Sequence, residues 1–312
     1  MAGALIKSST HFGAIAAWVM IASSGPLAAQ VETADPAVAA NNAPAGRRIA
    51  TLDMPISPTI SPSPDGRFLA VMQTRPDPVL WIVPTDGGEP FAFRKMWAAY
   101  KPRWAASGNR IGFIAVIGPP RVWTIEMETS SGRPLDPPRL LYRTPVNAFA
   151  FSPDAASIAL VPRETTAAGA SEVHVVNWET RSVGVLLRER GVIYQLDWSA
   201  DGRWIYYGLA PALPADTADS LKRVDIFNGS TETVLQVGEY LGLSADGGTL
   251  LYRPVGAGDG RTVETASLDG AHLSTFRLPN GSTPTWGPSA TLLQVRTNPA
   301  GDEIWAIPTP NN

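Results

Sequence analysis

A four-residue phrase recurs six times along this chain, and nothing else in the sequence limits its fold as strongly. The copies are Ser63-Pro64-Asp65-Gly66, Ala105-Ala106-Ser107-Gly108, Ser152-Pro153-Asp154-Ala155, Ser199-Ala200-Asp201-Gly202, Ser244-Ala245-Asp246-Gly247 and Gly287-Pro288-Ser289-Ala290. With the Asp position as the mark they stand at 65, 107, 154, 201, 246 and 289, so the steps are 42, 47, 47, 45 and 43 residues. Each is followed by an apolar run, fullest in Trp204-Ile205-Tyr206-Tyr207. Asp-Gly between two extended runs supplies the positive φ angles of a two-residue hairpin, so each copy reads as strand, tight turn, strand.

A second landmark keeps the same phase. After each turn comes another short strand: Leu80-Trp81-Ile82-Val83, Val122-Trp123-Thr124-Ile125, Val173-His174-Val175-Val176, Lys222-Arg223-Val224-Asp225, Val263-Glu264-Thr265-Ala266 and Ile304-Trp305-Ala306-Ile307. A period in the forties built from strand-turn-strand units is the signature of a β-propeller with four-stranded blades. Trp198 to Tyr207 and Trp81 to Gly88 resemble the TolB-like propeller repeat, with its W-S-P-D-G-K-x-I-A-F core and I-Y-V-M-D-x-D-G-G strand. The resemblance covers residues 47–312 and implies an all-β, six-bladed propeller. Function does not follow from it, since one fold carries many unrelated sites.

Strand counting predicts how the ring closes. The sixth unit ends one strand short, and Arg48-Ile49-Ala50-Thr51-Leu52 stands before the first full repeat. Residues 48–52 are therefore expected as the outermost strand of the last blade, leaving no open edge between the chain's ends. The innermost strands precede the turns and cover 56–61, 100–104, 147–151, 194–198, 240–243 and 283–286. Trp104, Phe151, Trp198 and Trp286 share one position on them, which Pro62 and Leu243 fill elsewhere, and this aromatic stripe reads as packing between blades. Loops between second and third strands lie on the opposite face, and the longest, around Ala210-Pro211-Ala212-Leu213-Pro214, is the one expected to be specialised for binding.

Before the repeats, residues 1–29 read as a secretory signal. Lys7 is followed by the apolar run Phe12 to Ala22 and by Leu27-Ala28-Ala29, with cleavage expected near Ala29. That run is shorter than the ~20 apolar residues of a membrane span, so no membrane span is expected. Residues 30–46, Ala-rich with Pro36 and Pro44, read as a flexible leader, and 47–312 as the propeller. The chain has no Cys, which argues against a disulfide framework, a thiolate metal site and a lipoprotein anchor. An exported, disulfide-free protein fits a bacterial periplasm or secretion. A net charge of -3 without a basic run argues against nucleic acid as a partner.

Catalytic patterns are sparse. His174 stands where other blades have Trp81, Trp123 and Trp305 and reads as a framework residue, while His272 follows Asp269-Gly270 and reads as an exposed turn residue. Neither belongs to a metal-ligand spacing, so no metal and no cofactor are expected. Gly242-Leu243-Ser244-Ala245-Asp246 approaches a nucleophile elbow and fails at its last position. Asp65, Asp154, Asp201 and Asp246 recur because the turn needs them. Arg103 and Asp197 are different: equivalent positions hold Ser61, Ala150, Gly242 and Thr285. A charge on an innermost strand must face the channel or find a partner, because burying it alone is costly. With Tyr100, Lys101, Tyr194 and Gln195 beside them, these residues are the candidate channel-mouth ligand site, and the competing reading is a local salt bridge.

The reading that follows is an exported, monomeric propeller that binds a protein or peptide without catalysing a reaction. TolB carries an additional N-terminal α/β domain that this sequence does not show, so that protein's envelope role does not transfer by resemblance. The repeats also resemble the substrate-gating propeller of prolyl-oligopeptidase-like serine peptidases, including lasso-peptide isopeptidases, with Asp53 to Val71 similar to the opening of such enzymes. In that alternative the hydrolase domain that follows the propeller in such enzymes is encoded separately or has been lost. A lyase or lactonase propeller would gather His or carboxylate metal ligands, which the three histidines do not supply.

Overall fold

The computed structural model describes residues 46–309, except 75–77, 94–98, 117, 164–168, 213–217, 259, 280–281, 290 and 300. The expected signal sequence, nearly all of the leader, and Leu213-Pro214 of the longest loop lie outside the described residues.

Among the described residues the regular structure is entirely strand. The first strand is β1 (Arg47–Leu52). Blade 1 holds β2 (Ile56–Pro62), β3 (Phe68–Gln73), β4 (Val79–Pro84) and β5 (Phe91–Phe93). Blade 2 holds β6 (Ala99–Trp104), β7 (Arg110–Val116), β8 (Pro120–Glu126) and β9 (Arg139–Leu140). Blade 3 holds β10 (Val146–Phe151), β11 (Ser157–Pro162), β12 (Ala170–Asn177) and β13 (Val183–Arg190). Blade 4 holds β14 (Val192–Trp198), β15 (Trp204–Ala210), β16 (Asp219–Asp225) and β17 (Thr231–Val237). Blade 5 holds β18 (Glu239–Leu243), β19 (Thr249–Arg253), β20 (Thr262–Ser267) and β21 (His272–Arg277). Blade 6 takes β22 (Thr285–Trp286), β23 (Thr291–Asn298) and β24 (Gly301–Pro308), and its fourth strand is β1.

All six sheets are antiparallel, five of them meanders and the sixth completed by β1, and each blade meets the next around a ring. The chain's beginning latches its end as strand counting predicts. β1 pairs with β24 through Arg48↔Trp305, Ala50↔Ile304 and Leu52↔Asp302. The Asp302 carboxylate then accepts the Ile56 amide at 2.8 Å, tying the closing sheet to the first strand of blade 1.

The turn that marks each repeat differs from the expected two-residue hairpin. In blade 4 Ser199 N donates to Trp204 O at 2.8 Å, so four residues lie in the loop, and Gly202 N donates to Ser199 O at 3.0 Å. Positive φ occurs only after the Asp, at Gly66 (71°), Ala155 (54°), Gly202 (73°) and Gly247 (71°). The reason is side-chain capping. Ser199 Oγ donates to Asp201 Oδ1 at 2.5 Å and accepts the Trp204 amide at 2.8 Å, while Asp201 Oδ1 accepts the Arg203 amide at 3.0 Å. These bonds satisfy the backbone groups of a longer loop built on a type I turn.

The core lies between blades. Second strands are buried on both faces, as in Phe68–Met72, and this is why they read as continuous apolar runs. Each described hydrophobic cluster joins two neighbouring blades. Trp104 packs with Ala70 and Leu80 of blade 1, and Phe151 with Ile114 and Val122 of blade 2. Trp286 packs with Leu251 and Val263 of blade 5, so the aromatic stripe is inter-blade packing. Full burial of each such aliphatic or aromatic side chain contributes about 1.5–3 kcal/mol.

Candidate functional site

Five inner strands carry a register irregularity, among them β6 between Tyr100 and Arg103 and β14 between Ile193 and Gln195. Such bulges bend a strand and re-aim its side chains. On β6 the backbone at Lys101 takes φ 51°, a left-handed conformation that non-glycine residues adopt at a cost. The result brings side chains from two non-adjacent blades together across the channel.

Arg103 of blade 2 reaches Asp197 of blade 4, Nη1 to Oδ1 at 2.6 Å. Gln195 Nε2 donates to the other oxygen, Oδ2, at 3.1 Å. Lys101 Nζ donates to the carbonyls of Asn147 in blade 3 at 3.0 Å and Tyr194 in blade 4 at 3.1 Å. Blade 3, which lies between, carries small Ala148 and Ala150 on this strand, both buried in the core between blades 3 and 4. Blade 5 presents Gly242, where an added Cβ would stand 3.9 Å from Asp197 Oδ2.

Burial, and then the like charge of Arg103, lower the Lys101 pKa to about 8, with Asp197 opposing. The Tyr240 hydroxyl is buried and forms no hydrogen bond of acceptable geometry. Burial and then the nearby Asp197 charge hold its pKa well above the ordinary range.

Four of the six expected site residues, Lys101, Arg103, Gln195 and Asp197, therefore form one cluster. The side chains of Tyr100 and Tyr194 do not join it, although the Tyr194 carbonyl accepts from Lys101. Tyr100 packs against the core between blades 2 and 3, and burial raises its pKa. Tyr194 packs between blades 4 and 5, where its hydroxyl accepts the Tyr240 amide at 2.8 Å. The bulge turns Tyr194 into that slot, and Gly208 keeps it open: an added Cβ there would lie 2.5 Å from Tyr194 Cζ.

The histidines and the turn aspartates lie outside this cluster. His174 bonds Glu172 at 2.8 Å and Tyr142 at 3.3 Å within the framework, and Glu172 also holds Arg188. His272 is exposed, at the first residue of β21 rather than in the turn. The turn aspartates are capping groups: Ser199 and the Arg203 amide lower the Asp201 pKa, and Ser152 and Ser244 do the same for Asp154 and Asp246. Among the described residues no group of three or more His, Cys, Asp or Glu could hold a metal ion. None of their helices is long and apolar enough to cross a membrane.

Sequence reasoning placed Gly242 at the position equivalent to Asp197 without giving it a part in the site, and it missed Tyr240, because a tyrosine in a strand carries no signal for a channel. It also missed a groove of about 450 Å³ lined by Trp81, Phe91 and Arg133, with the Arg133 guanidinium 5.2 Å from the Phe91 ring centre. Another groove, about 360 Å³, lies beside Leu209, Pro211 and Ala212 of the long loop.

No family model and no curated protein matches the sequence. Solved structures match the fold. TolB from Acinetobacter baumannii superimposes with a TM-score of 0.59 at 17% identity over 79% of this chain. A putative TolB from Agrobacterium tumefaciens gives 0.59 at 15% identity over 84% of this chain and 94% of its own. The fold is that of the TolB propeller. An oligogalacturonate lyase in complex with manganese shares it, with a TM-score of 0.62 at 10% identity over 87% of this chain and 95% of its own. This TolB-like chain matches 62% of the Acinetobacter protein's length. At such identities the likeness concerns architecture, and the chemistry must be argued from this chain's own residues.

Proposed function

We propose that this chain is an exported, non-catalytic binding module that takes a protein or peptide segment at the channel end bordered by the Asp-Gly turns. The observation that carries the reading is the cluster of Lys101, Arg103, Gln195 and Asp197, drawn from two blades into the channel and fixed by named hydrogen bonds. Charged groups held in place by a ring of packed sheets lose little freedom when a ligand arrives, and this favours affinity. Export is supported by Lys7, the apolar run from Phe12 to Ala22 and Ala28-Ala29.

The test uses the purified chain and a protease digest of periplasmic extract, with retained peptides identified by mass spectrometry and remeasured by calorimetry. Saturable binding that Arg103→Ala weakens at least tenfold, about 1.4 kcal/mol, is expected. If no peptide is retained, or if a folded Arg103→Ala chain binds equally well, the reading fails.

A further inference from the structure

We propose that the channel cluster binds one carboxylate, the free C-terminus of a peptide, on N–H donors of Arg103 and Lys101 that the protein leaves unused. The inference rests on the binding-module reading and specifies the ligand's chemistry.

Hydrogen-bond counting comes first. A guanidinium has five N–H donors in a planar fork that matches a carboxylate. Arg103 bonds Asp197 through Nη1 alone, and its side chain remains 26% exposed. Lys101 has three donors and places two on the carbonyls of Asn147 and Tyr194. Those carbonyls are neutral, so they solvate the ammonium without cancelling its charge. Asp197 is already engaged by Arg103 and Gln195. Two cations facing one carboxylate leave the cluster with a single excess positive charge.

Space and polarity agree with that count. Gly242 of blade 5 carries no side chain beside the cluster, and a Cβ there would stand 3.9 Å from Asp197 Oδ2. The buried Tyr240 hydroxyl beside Asp197 is a further polar group without a well-formed hydrogen bond. An uncompensated positive charge in a partly buried site is costly, and one anion relieves it. Asp197 sets the limit on that anion's charge: a dianionic phosphate would meet its carboxylate, whereas a monoanion is balanced by the excess. A peptide terminus and a uronic acid share this group, and the two are separable by experiment.

The experiment takes a peptide retained by the full chain and compares its free-acid and C-terminally amidated forms by calorimetry, with D-galacturonate and acetate as small probes. Amidation is expected to weaken binding at least tenfold in the wild-type chain and to have little effect in Arg103→Gln or Lys101→Met, each checked for fold by circular dichroism. Equal binding of acid and amide, with Arg103→Ala still weakening both, would sink the carboxylate site and leave the binding module standing. If galacturonate, or acetate, stabilises the wild-type chain and neither variant while no peptide binds, the peptide assignment is overturned. Absence of any response to peptide, galacturonate or acetate removes the proposal altogether.

Discussion

Ser199 illustrates how one hydroxyl sets a repeat. Its Oγ accepts the Trp204 amide and donates to Asp201, and the residue is 3% exposed. Ser199→Ala leaves that amide without an acceptor in the turn, so a loss of about 1–3 kcal/mol is expected in urea unfolding. Part of the loss follows pH. The folded-state pKa of Asp201 is depressed by the Ser199 bond first, so its stabilisation is present above the unfolded pKa of about 3.9 and disappears as pH falls through the folded value. The gap between wild type and variant is therefore widest above about pH 4 and narrows in acid. A gap constant from neutral pH into acid would exclude the Asp201 contribution. The turn's place was legible from Ser-x-Asp-Gly spacing. Its four-residue loop was not, because side-chain capping permits a length that Asp-Gly alone does not specify.

At the scale of the element, β1 has the most to reveal. It contributes backbone pairing to β24 and one fully inward residue, Leu52 at 3% exposure. Removing residues 47–52 exposes β24 as an edge and deletes a buried leucine, a change that alone costs about 2–5 kcal/mol. The truncated chain is expected to unfold at lower urea and to self-associate in light scattering; unchanged stability would show that the latch is dispensable. Its position followed from strand arithmetic. The inner strands were less transparent. Tyr100 and Tyr194 stand beside charged neighbours, yet both side chains turn into blade interfaces. Bulges decide this, and a bulge depends on what the neighbouring strand offers, here the slot at Gly208 of β15.

Across the whole molecule, no described cluster belongs to one blade. Leu250 packs with Tyr206 and Leu221 of blade 4 as well as with its own blade 5. Leu250→Ala is therefore expected to lower one global transition by about 2–5 kcal/mol, with fluorescence and circular dichroism changing together. Two separated transitions would mean that blades unfold as independent units. The number of blades, the alternation of strands and turns and the latch were all written into the chain, because each depends on local spacing and on which side chains are apolar. The meeting of Lys101, Arg103, Gln195 and Asp197 was only half written: the charges were visible on innermost strands, their partners were not. A guanidinium on blade 2 finds a carboxylate on blade 4 only after the sheets have taken their places in the ring. Long-range contacts of this kind depend on where whole sheets are placed, and no local pattern encodes that.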